Sequence, residues 1–317
     1  MSNMKKAYTR LIPLSVFGMS GGLLWDAWWH VAVGRDEFWI PPHITLYVCL
    51  TLLLVVSFLA WRKTKIVEFK NLFFISLLFP ITGVLDQFWH SIFGVEDLIS
   101  PIVVWSPPHL LILASLIVIT LYTRKVVSFD ESTSLRWLMR CGVFAGFLGF
   151  VLIFTMPFFP LGSYHIIGFW GAGFLMFVWV AITLYEQRKI KQTGTVILVT
   201  TLFMMLASIG PMILVKPAPG ILIGALHMPP LWVFTFSFIV PAIFIEAAHF
   251  WNDILKGLIA GTLGGAIFYF TAVNFIDIPF YGIYEIMIAV FSCALGGLIA
   301  GIVMEIFGKK QLQKNKN

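Results

Sequence analysis

Charged residues are scarce in this chain. Asp, Glu, Lys and Arg make up 11% of its 317 residues, against 59% hydrophobic residues. Soluble domains carry about 25% charged residues, so this composition excludes a large soluble protein. Cysteine is also scarce, and the three cysteines lie far apart inside apolar runs: Cys49, Cys141 and Cys293. That spacing excludes a disulfide framework and a Cys-x-x-Cys metal site, so these residues are interpreted as small buried hydrophobes.

The chain is instead rich in long apolar stretches. A stretch of about 20 apolar residues can cross the hydrocarbon core of a bilayer. Ten stretches qualify: 11–33, 43–61, 71–93, 108–123, 137–159, 165–185, 194–215, 228–249, 254–275 and 283–307. The sequence therefore predicts an all-α integral membrane protein with about ten transmembrane helices and the lipid bilayer as its main partner.

The basic residues predict how the chain is oriented. The net charge of +6 comes from Lys and Arg in short loops beside the apolar stretches. Such residues favour the cytoplasmic side, so they indicate membrane topology and not nucleic-acid binding. Alternate loops are basic, and both termini are basic as well. We therefore expect a multi-pass protein of the cell (plasma) membrane with its N- and C-termini in the cytoplasm.

The chain is predicted to form one polytopic membrane domain over residues 1–317. The segments 11–33 with 43–61, and 71–93 with 108–123, each enter from the cytoplasm and return. They are interpreted as a parallel hairpin repeat. Residues 11–123 then form two duplicated hairpins, and residues 137–307 form the remaining helical bundle.

The two hairpins carry the same polar motif at their outer ends. The first copy has Asp26, Trp29-His30 and Pro41-Pro42-His43, and the second has Asp86, Trp89-His90 and Pro107-Pro108-His109. Ionisable residues in membrane helices are costly and by default indicate a function. Six of the seven histidines fall near this predicted outer face: His30, His43, His90, His109, His165 and His227.

The spacing of the motif is typical of a metal site. Residues four apart lie on one face of a helix, so Asp26 can meet His30, and Asp86 can meet His90. Proline is favoured in the first turn of a helix, so each Pro-Pro step sets where the returning helix begins and where its histidine lies. Each triad then offers one carboxylate and two imidazoles, which suit copper, zinc or non-haem iron. A hydrogen-bonded structural Asp–His pair is the alternative.

At these residues the chain resembles the C subunit of the copper membrane monooxygenases, the family of particulate methane and ammonia monooxygenases. That subunit builds a copper site from Asp-x3-His-x12-His across two membrane helices, which is the order and spacing of Asp26, His30 and His43. A later family site has the order Asn, His, His, and this chain has Asp86, His90 and His109 in its place. The resemblance covers roughly residues 20–115 and implies bound copper and partner subunits.

The function predicted from these features is an integral-membrane metalloprotein, a copper-dependent oxidase or monooxygenase or a subunit of one. The resemblance implies a metal that activates oxygen, and the apolar surroundings favour a small apolar or lipidic substrate. Zinc and iron remain alternatives to copper because the same ligands suit them.

Three other functions stay open at the level of sequence. A transporter or metal-handling permease fits the ten predicted spans. However, the ionisable residues lie mainly at the outer face, with little in the inner half beyond Glu246 and His249. Haem ligation by histidines leaves the carboxylate four residues before His30 and His90 unexplained. A zinc-dependent hydrolase would use the same triads to activate water.

Overall fold

The computed structural model describes residues 3–32, 38–93, 106–129, 132–155, 165–213, 236–275 and 283–314. These ranges form helices joined by turns and contain no strand, which confirms the all-α prediction. The helices are α1 (Asn3–Ala32), α2 (Pro41–Thr64), α3 (Val67–Ser76), α4 (Leu78–Phe93), α5 (Pro107–Val127), α6 (Thr133–Thr155), α7 (His165–Ile190), α8 (Thr195–Ile213), α9 (Phe236–Ala247), α10 (Asp253–Phe275) and α11 (Ile283–Lys314).

Five helical stretches are long and apolar enough to cross a membrane within the described part of the chain. They are Pro41–Thr64, Val67–Phe93, Pro107–Val127, Asp253–Phe270 and Ile286–Lys310. Each of the ten predicted segments contains a helix, but ten crossings stay a prediction. The chain is thus a multi-pass membrane protein by the length and composition of its helices.

The exposed surface of the helices fits a lipid environment. On α4, Val84 is 71% exposed and Phe88 is 64% exposed. Exposing such side chains to water costs about 25 cal/mol per Å² of apolar surface, whereas lipid chains solvate them. The bilayer is therefore the environment in which these helix faces are stable.

Prolines set the starts of the two helices that carry His43 and His109. α2 begins at Pro41 and α5 begins at Pro107, and each has proline in its first turn. This confirms the predicted role of both Pro-Pro steps. Ser106 also caps α5, because its side chain accepts a hydrogen bond from the backbone N–H of His109.

The predicted span 71–93 lies within one apolar helical stretch, Val67–Phe93, which is interrupted at the single residue Leu77. The segment 71–93 is a single predicted span, but α3 ends at Ser76 and α4 begins at Leu78. Pro80 explains the break, because proline has no N–H to donate to the carbonyl of Ser76 four residues earlier. The second half, α4, carries Asp86 and His90.

The chain divides into two compact units. Unit 1 is Met1–Phe154 with Ile209–Ile221, and unit 2 is Thr155–Ser208 with Leu222–Asn317. In unit 1, α1 packs against α2 and α5, α3 packs against the same two helices, and α4 packs against α5. Its core is apolar, and the fully buried side chains include Ile12, Met19, Leu53, Phe69 and Leu72. The pairing of α1 with α2 and of α4 with α5 brings together the two ends of each predicted motif.

Unit 2 is built around a close contact between α10 and α11. A Cβ at Gly257 would overlap the carbonyl oxygen of Gly297, and one at Gly261 would overlap the carbonyl oxygen of Cys293. Small residues four apart allow helix backbones to approach in this way. The sequence Gly-Leu-Ile-Ala-Gly occurs at 257–261 on α10 and again at 297–301 on α11. It is therefore a packing element of unit 2.

Ion pairs join three helices at one end of unit 2. Arg188 at the end of α7 contacts Asp253 on α10 and Glu305 on α11, and it donates a hydrogen bond to the carbonyl of Met304. Lys256 Nζ lies 3.5 Å from Asp253 Oδ1, and both residues are only 5% exposed. Removing one member of a buried group of charges leaves the others unpaired, so this cluster ties α7, α10 and α11 together.

Candidate metal centre

Asp86, His90 and His109 form the cluster that the second motif predicts. Asp86 and His90 lie one turn apart on α4, and His109 is the third residue of α5. Their potential ligand atoms all lie within 4.8 Å of one another. The packing of α4 against α5 therefore brings one carboxylate and two imidazoles to one point at the end of the second hairpin.

The carboxylate of Asp86 lies between the two imidazoles. His90 Nε2 is 3.4 Å from Asp86 Oδ2, and His109 Nε2 is 3.4 Å from Asp86 Oδ1. The two imidazole rings are 6.0 Å apart between centroids and inclined at 62°. Each oxygen of Asp86 thus faces a different histidine, and in both histidines the facing atom is Nε2.

Asp86 Oδ1 is buried and accepts no hydrogen bond. His109 Nε2 faces this oxygen without the geometry of a hydrogen bond. A buried carboxylate oxygen is costly unless a cation or a donor compensates its charge. The side chains of Asp86 and His90 are 19% and 11% exposed, so water solvates them only in part. The three side chains therefore fit a cation placed among them.

The spacing of the ligand atoms also fits a metal ion. Atoms that bind one ion tetrahedrally at about 2.0–2.1 Å lie about 3.3–3.4 Å apart. Both carboxylate–imidazole distances are 3.4 Å. A charge-assisted hydrogen bond would instead shorten to about 2.7–2.9 Å. The two distances run to different carboxylate oxygens, and both are longer than a charge-assisted hydrogen bond and compatible with ligands around one ion.

In the first motif, the structure shows two of the three predicted ligand side chains in contact. His43 Nε2 lies 3.0 Å from Asp26 Oδ1, and the two side chains are 19% and 15% exposed. As at Asp86 Oδ1, the contact at Asp26 Oδ1 lacks the geometry of a hydrogen bond. His30 belongs to α1, but its side chain lies outside the described residues. The structure therefore shows Asp26 and His43 in contact and leaves the predicted role of His30 a prediction.

The tryptophans near the motifs differ in their surroundings. Trp25 is only 9% exposed, whereas Trp39 is 71% exposed. The ring of Trp89 stacks on Phe93 one turn further along α4, with 4.2 Å between centroids. A belt at the membrane interface accounts for an exposed tryptophan such as Trp39. Trp25 is part of the interior of unit 1.

Two further sequence features have local structural roles. Glu246 Oε1 accepts a hydrogen bond from the backbone N–H of Val196 at 2.6 Å, so Glu246 caps the start of α8. The ring of His249 packs against Phe250, with 5.6 Å between centroids. The side chain of His165 and all of His227 lie outside the described residues.

Unit 2 holds buried charged residues that the sequence analysis did not single out. Glu186 is fully buried, and Asp253 and Lys256 are 5% exposed, all of them at the end of unit 2 where Arg188 lies. The spacing of Asp253 and Lys256, three residues apart on one helix, was the available signal.

Comparison with protein-family models, with curated proteins and with solved structures found no match to this chain.

Proposed function

We propose that the chain is an integral-membrane metalloprotein whose metal ion is held by Asp86, His90 and His109. One observation carries the proposal: the carboxylate of Asp86, whose buried Oδ1 accepts no hydrogen bond, has an imidazole nitrogen 3.4 Å from each of its oxygens. Two imidazoles and one carboxylate are a ligand set for copper, zinc or iron. Three protein ligands leave coordination positions for water, dioxygen or substrate, as reactive sites require.

Copper is the metal that we propose first, with zinc and iron as alternatives. The reason is the likeness of the two motifs to the C subunit of the copper membrane monooxygenases. When bound, copper would supply the one-electron and oxygen chemistry of an oxidase or a monooxygenase. Asp86 would neutralise part of the metal's charge, and His90 and His109 would orient it through Nε2.

The surroundings of the cluster support a small apolar or lipidic substrate. Phe88 and Ile92 lie on the same helix as Asp86 and His90 and are 64% and 57% exposed. In a bilayer these side chains face acyl chains, so an apolar molecule dissolved there can reach α4 without crossing water. The same exposed surface would suit a partner subunit, as the family likeness implies.

The first motif is proposed as a second site of the same kind. Asp26 and His43 already meet, and His30 is placed by sequence one turn after Asp26 on α1. Together with the packing of α1 on α2 and of α4 on α5, this supports the parallel hairpin repeat. Ten membrane crossings, with both termini in the cytoplasm of a plasma-membrane protein, complete the proposal.

Elemental analysis of the purified full-length protein tests the metal site. We expect close to one metal ion per chain at the Asp86 cluster after reconstitution with copper, and a loss of that ion in His90→Ala and in His109→Ala. His249→Ala is the matched control, because it removes an imidazole that belongs to unit 2 and to neither motif. Equal metal content in all four proteins would contradict the proposal.

The redox part of the proposal has its own test. Copper-loaded protein with a chemical reductant is expected to consume dioxygen, and the His109→Ala variant is expected to consume much less. Zinc-loaded protein should be inactive in this assay, because zinc has no redox chemistry. Metal binding without any dioxygen consumption would support the metal site but contradict the oxidase or monooxygenase function.

A metal-handling permease is the second candidate function. The buried charges Glu186, Asp253 and Lys256 of unit 2 support it, because a carrier needs polar groups in addition to those of a single binding site. Uptake of copper into proteoliposomes, abolished by His90→Ala but unaffected by His249→Ala, would establish transport. Absence of uptake by protein that binds copper would rule it out.

A further inference from the structure

Positive charge is concentrated in three short segments of unit 1. Eleven Lys and Arg residues lie within 3–10, 61–70 and 124–140, and Glu68 is the one acidic residue that the structure describes there. Asp130 and Glu131, in the same stretch of sequence, lie outside the described residues. Even with these two counted, the excess of positive charge in the three segments is greater than the net charge of +6 of the whole chain.

The packing of unit 1 gathers the three segments at one end. Glycine contacts fix the directions of α1, α2 and α6: a Cβ at Gly18 would meet Cys49, one at Gly22 Leu46, one at Gly142 Phe17 and one at Gly146 Ser20. These contacts make α2 antiparallel to α1 and α6 parallel to it. The rings of Phe69 and Phe129 are 6.0 Å apart between centroids, which places the start of α3 beside the end of α5. The basic ends of these helices therefore meet, and the Asp–His motifs lie at the other end of unit 1.

The two polar ends of unit 1 are as far apart as the two interfaces of a bilayer. His43 and Arg62 are nineteen residues apart on α2. A helix rises about 1.5 Å per residue, so about 28 Å separates them along the helix axis. The hydrocarbon core of a bilayer is about 30 Å thick. With the Asp–His motifs at one interface, the basic end lies at the level of the lipid headgroups of the other.

The connection between α2 and α3, residues 58–74, is the most exposed part of the basic end, and we call it the α2–α3 corner. Its four basic residues are all exposed: Arg62, Lys63, Lys65 and Lys70. Arg62 Cζ lies 6.0 Å from the ring centroid of Phe58, and Lys70 Nζ lies 5.8 Å from that of Trp61. An aromatic face holds a cation in place without neutralising its charge. Glu68, the one described carboxylate of the corner, cannot balance four cations.

An aromatic surface lies directly beneath these cations. The ring of Trp61 is 6.3 Å from that of Phe73 and 5.8 Å from that of Phe74. Phe58 and Phe74 are 38% and 49% exposed. Tryptophan is enriched at membrane interfaces, where one side of the ring meets headgroups and the other meets acyl chains. The corner thus offers positive charge next to apolar surface, which is the complement of an anionic phospholipid.

The basic residues of unit 2 are compensated differently. Arg188 contacts Asp253 and Glu305, Lys256 Nζ lies 3.5 Å from Asp253 Oδ1, and Lys309 Nζ lies 3.6 Å from Glu305 Oε1. Carboxylates of the same unit therefore balance these charges. A basic helix end does not by itself attract lipid, and the α2–α3 corner differs because its cations rest on rings.

The backbone at Lys65 adds a second observation. Lys65 ends α2 in the left-handed conformation, with φ at 58°. Glycine is favoured at this position because it adopts that conformation without steric cost. A strained residue of this kind points to a role of its side chain beyond folding. At the corner, that side chain is an exposed cation.

We propose that the α2–α3 corner binds anionic phospholipids of the adjoining leaflet. The cations attract the headgroups, and the exposed rings of Phe58 and Phe74 contact the acyl chains. Clusters of four or more Lys and Arg beside a membrane helix bind anionic lipid, with an affinity that changes by about fivefold per charge. This site does not depend on the metal site, which lies at the opposite end of unit 1.

Native mass spectrometry of the full-length protein in detergent tests the proposal. Delipidated protein is titrated with phosphatidylglycerol or with phosphatidylcholine that carries the same acyl chains. We expect the first phosphatidylglycerol to bind at least about tenfold more tightly, and added salt to reduce this preference. Equal affinities for the two lipids would overturn the proposal. Displacement of phosphatidylglycerol by millimolar inorganic phosphate would also overturn it, because free phosphate would then be the ligand.

The substitution Lys65→Gly separates lipid binding from folding. Without lipid, Tm should stay unchanged or rise, because glycine relieves the backbone, whereas the affinity for phosphatidylglycerol should fall by about fivefold. Lys191→Gly is the matched control, because Lys191 has φ at 51° in unit 2, so its replacement removes the same charge and the same strain. We expect it to keep the wild-type affinity.

Adding Arg62→Gln and Lys70→Gln to Lys65→Gly should remove the preference for phosphatidylglycerol over phosphatidylcholine. Wild-type affinity in Lys65→Gly, or an equal loss in Lys65→Gly and Lys191→Gly, would contradict a lipid site at the α2–α3 corner.

Discussion

At Asp86 the charge of the carboxylate matters more than its shape. Both oxygens face imidazole nitrogens at 3.4 Å, and Oδ1 is buried without a hydrogen bond. The corresponding contact in the first motif, between His43 Nε2 and Asp26 Oδ1, is 3.0 Å and also lacks the geometry of a hydrogen bond. The second motif is the stronger candidate for a metal ligand set because the potential ligand atoms of all three of its side chains lie within 4.8 Å of one another.

The substitution Asp86→Asn distinguishes a carboxylate that binds a metal ion from one that has only a structural role. The amide keeps the shape of the side chain and its place beside His90 and His109, but it removes the negative charge. We expect the affinity for copper or zinc to fall by at least about tenfold, measured by competition with a chromophoric chelator. An unchanged affinity would show that the carboxylate is not a ligand.

Asp26→Asn is the companion measurement on the first motif. If the first motif also binds an ion, this variant should lose the second equivalent of metal and keep the first. If Asp26 and His43 form only a hydrogen-bonded pair, the metal content of the variant should equal that of the wild type. Either result assigns the ions to one motif or to both.

At the scale of the element, the start of α5 positions His109. Ser106 accepts a hydrogen bond from the backbone N–H of His109, and Pro107 and Pro108 occupy the first turn. Loss of such a cap costs about 1 kcal/mol and lets the first turn fray. The helix start is therefore part of the metal site, although Ser106 touches no ligand atom.

Ser106→Ala is expected to lower Tm by about 2–4 °C and to weaken metal binding less than Asp86→Asn does. Thermal unfolding with and without metal measures both effects. Ser128→Ala is the control, because Ser128 lies at the opposite end of α5 and its exposed hydroxyl donates to the carbonyl of Lys125. Equal effects of the two substitutions on metal affinity would contradict a positioning role for Ser106.

The contact between α10 and α11 depends on the absence of side chains. A Cβ at Gly297 would overlap the carbonyl oxygen of Gly257, so Gly297→Ala must push the two backbones apart. Overpacking of this kind costs about 1–3 kcal/mol, and we expect a clear fall in Tm.

Gly83→Ala is the matched control on α4, since a Cβ at Gly83 meets nothing within 4 Å. Alanine is favoured over glycine inside a helix by about 0.5–1 kcal/mol, so this variant should be as stable as the wild type or more so. A fall in Tm for Gly83→Ala equal to that for Gly297→Ala would show that the effect is not due to helix contact.

The sequence predicted those parts of the site that follow from local rules. The spacing of Asp86 and His90 and the Pro-Pro start before His109 predicted that these three side chains lie together, because helix periodicity and proline geometry act within a few residues. The break at Leu77 was missed, although Pro80 marks it. The contacts of Arg188 with Asp253 and Glu305 join residues far apart in the chain, and no local pattern specifies them.

At the scale of the whole molecule, the number of membrane crossings decides where the termini lie. Five helical stretches in the described ranges satisfy the length and composition for spanning, and the basic loops predict ten spans. An odd number of crossings places the termini on opposite sides of the membrane, and an even number places them on the same side. The distribution of Lys and Arg favours the even number, since both termini are basic.

Single cysteines in a cysteine-free background measure this directly. Lys6→Cys and Lys309→Cys, near the two termini, should react with a membrane-impermeant maleimide only after the cells are permeabilised. Trp39→Cys should react in intact cells, because Trp39 precedes α2 on the predicted outer side and is 71% exposed. Reaction of Lys6→Cys and Lys309→Cys from opposite sides would contradict ten spans. Reaction of Trp39→Cys only from the cytoplasm would place His43, and the motif it belongs to, on the inner face of the membrane.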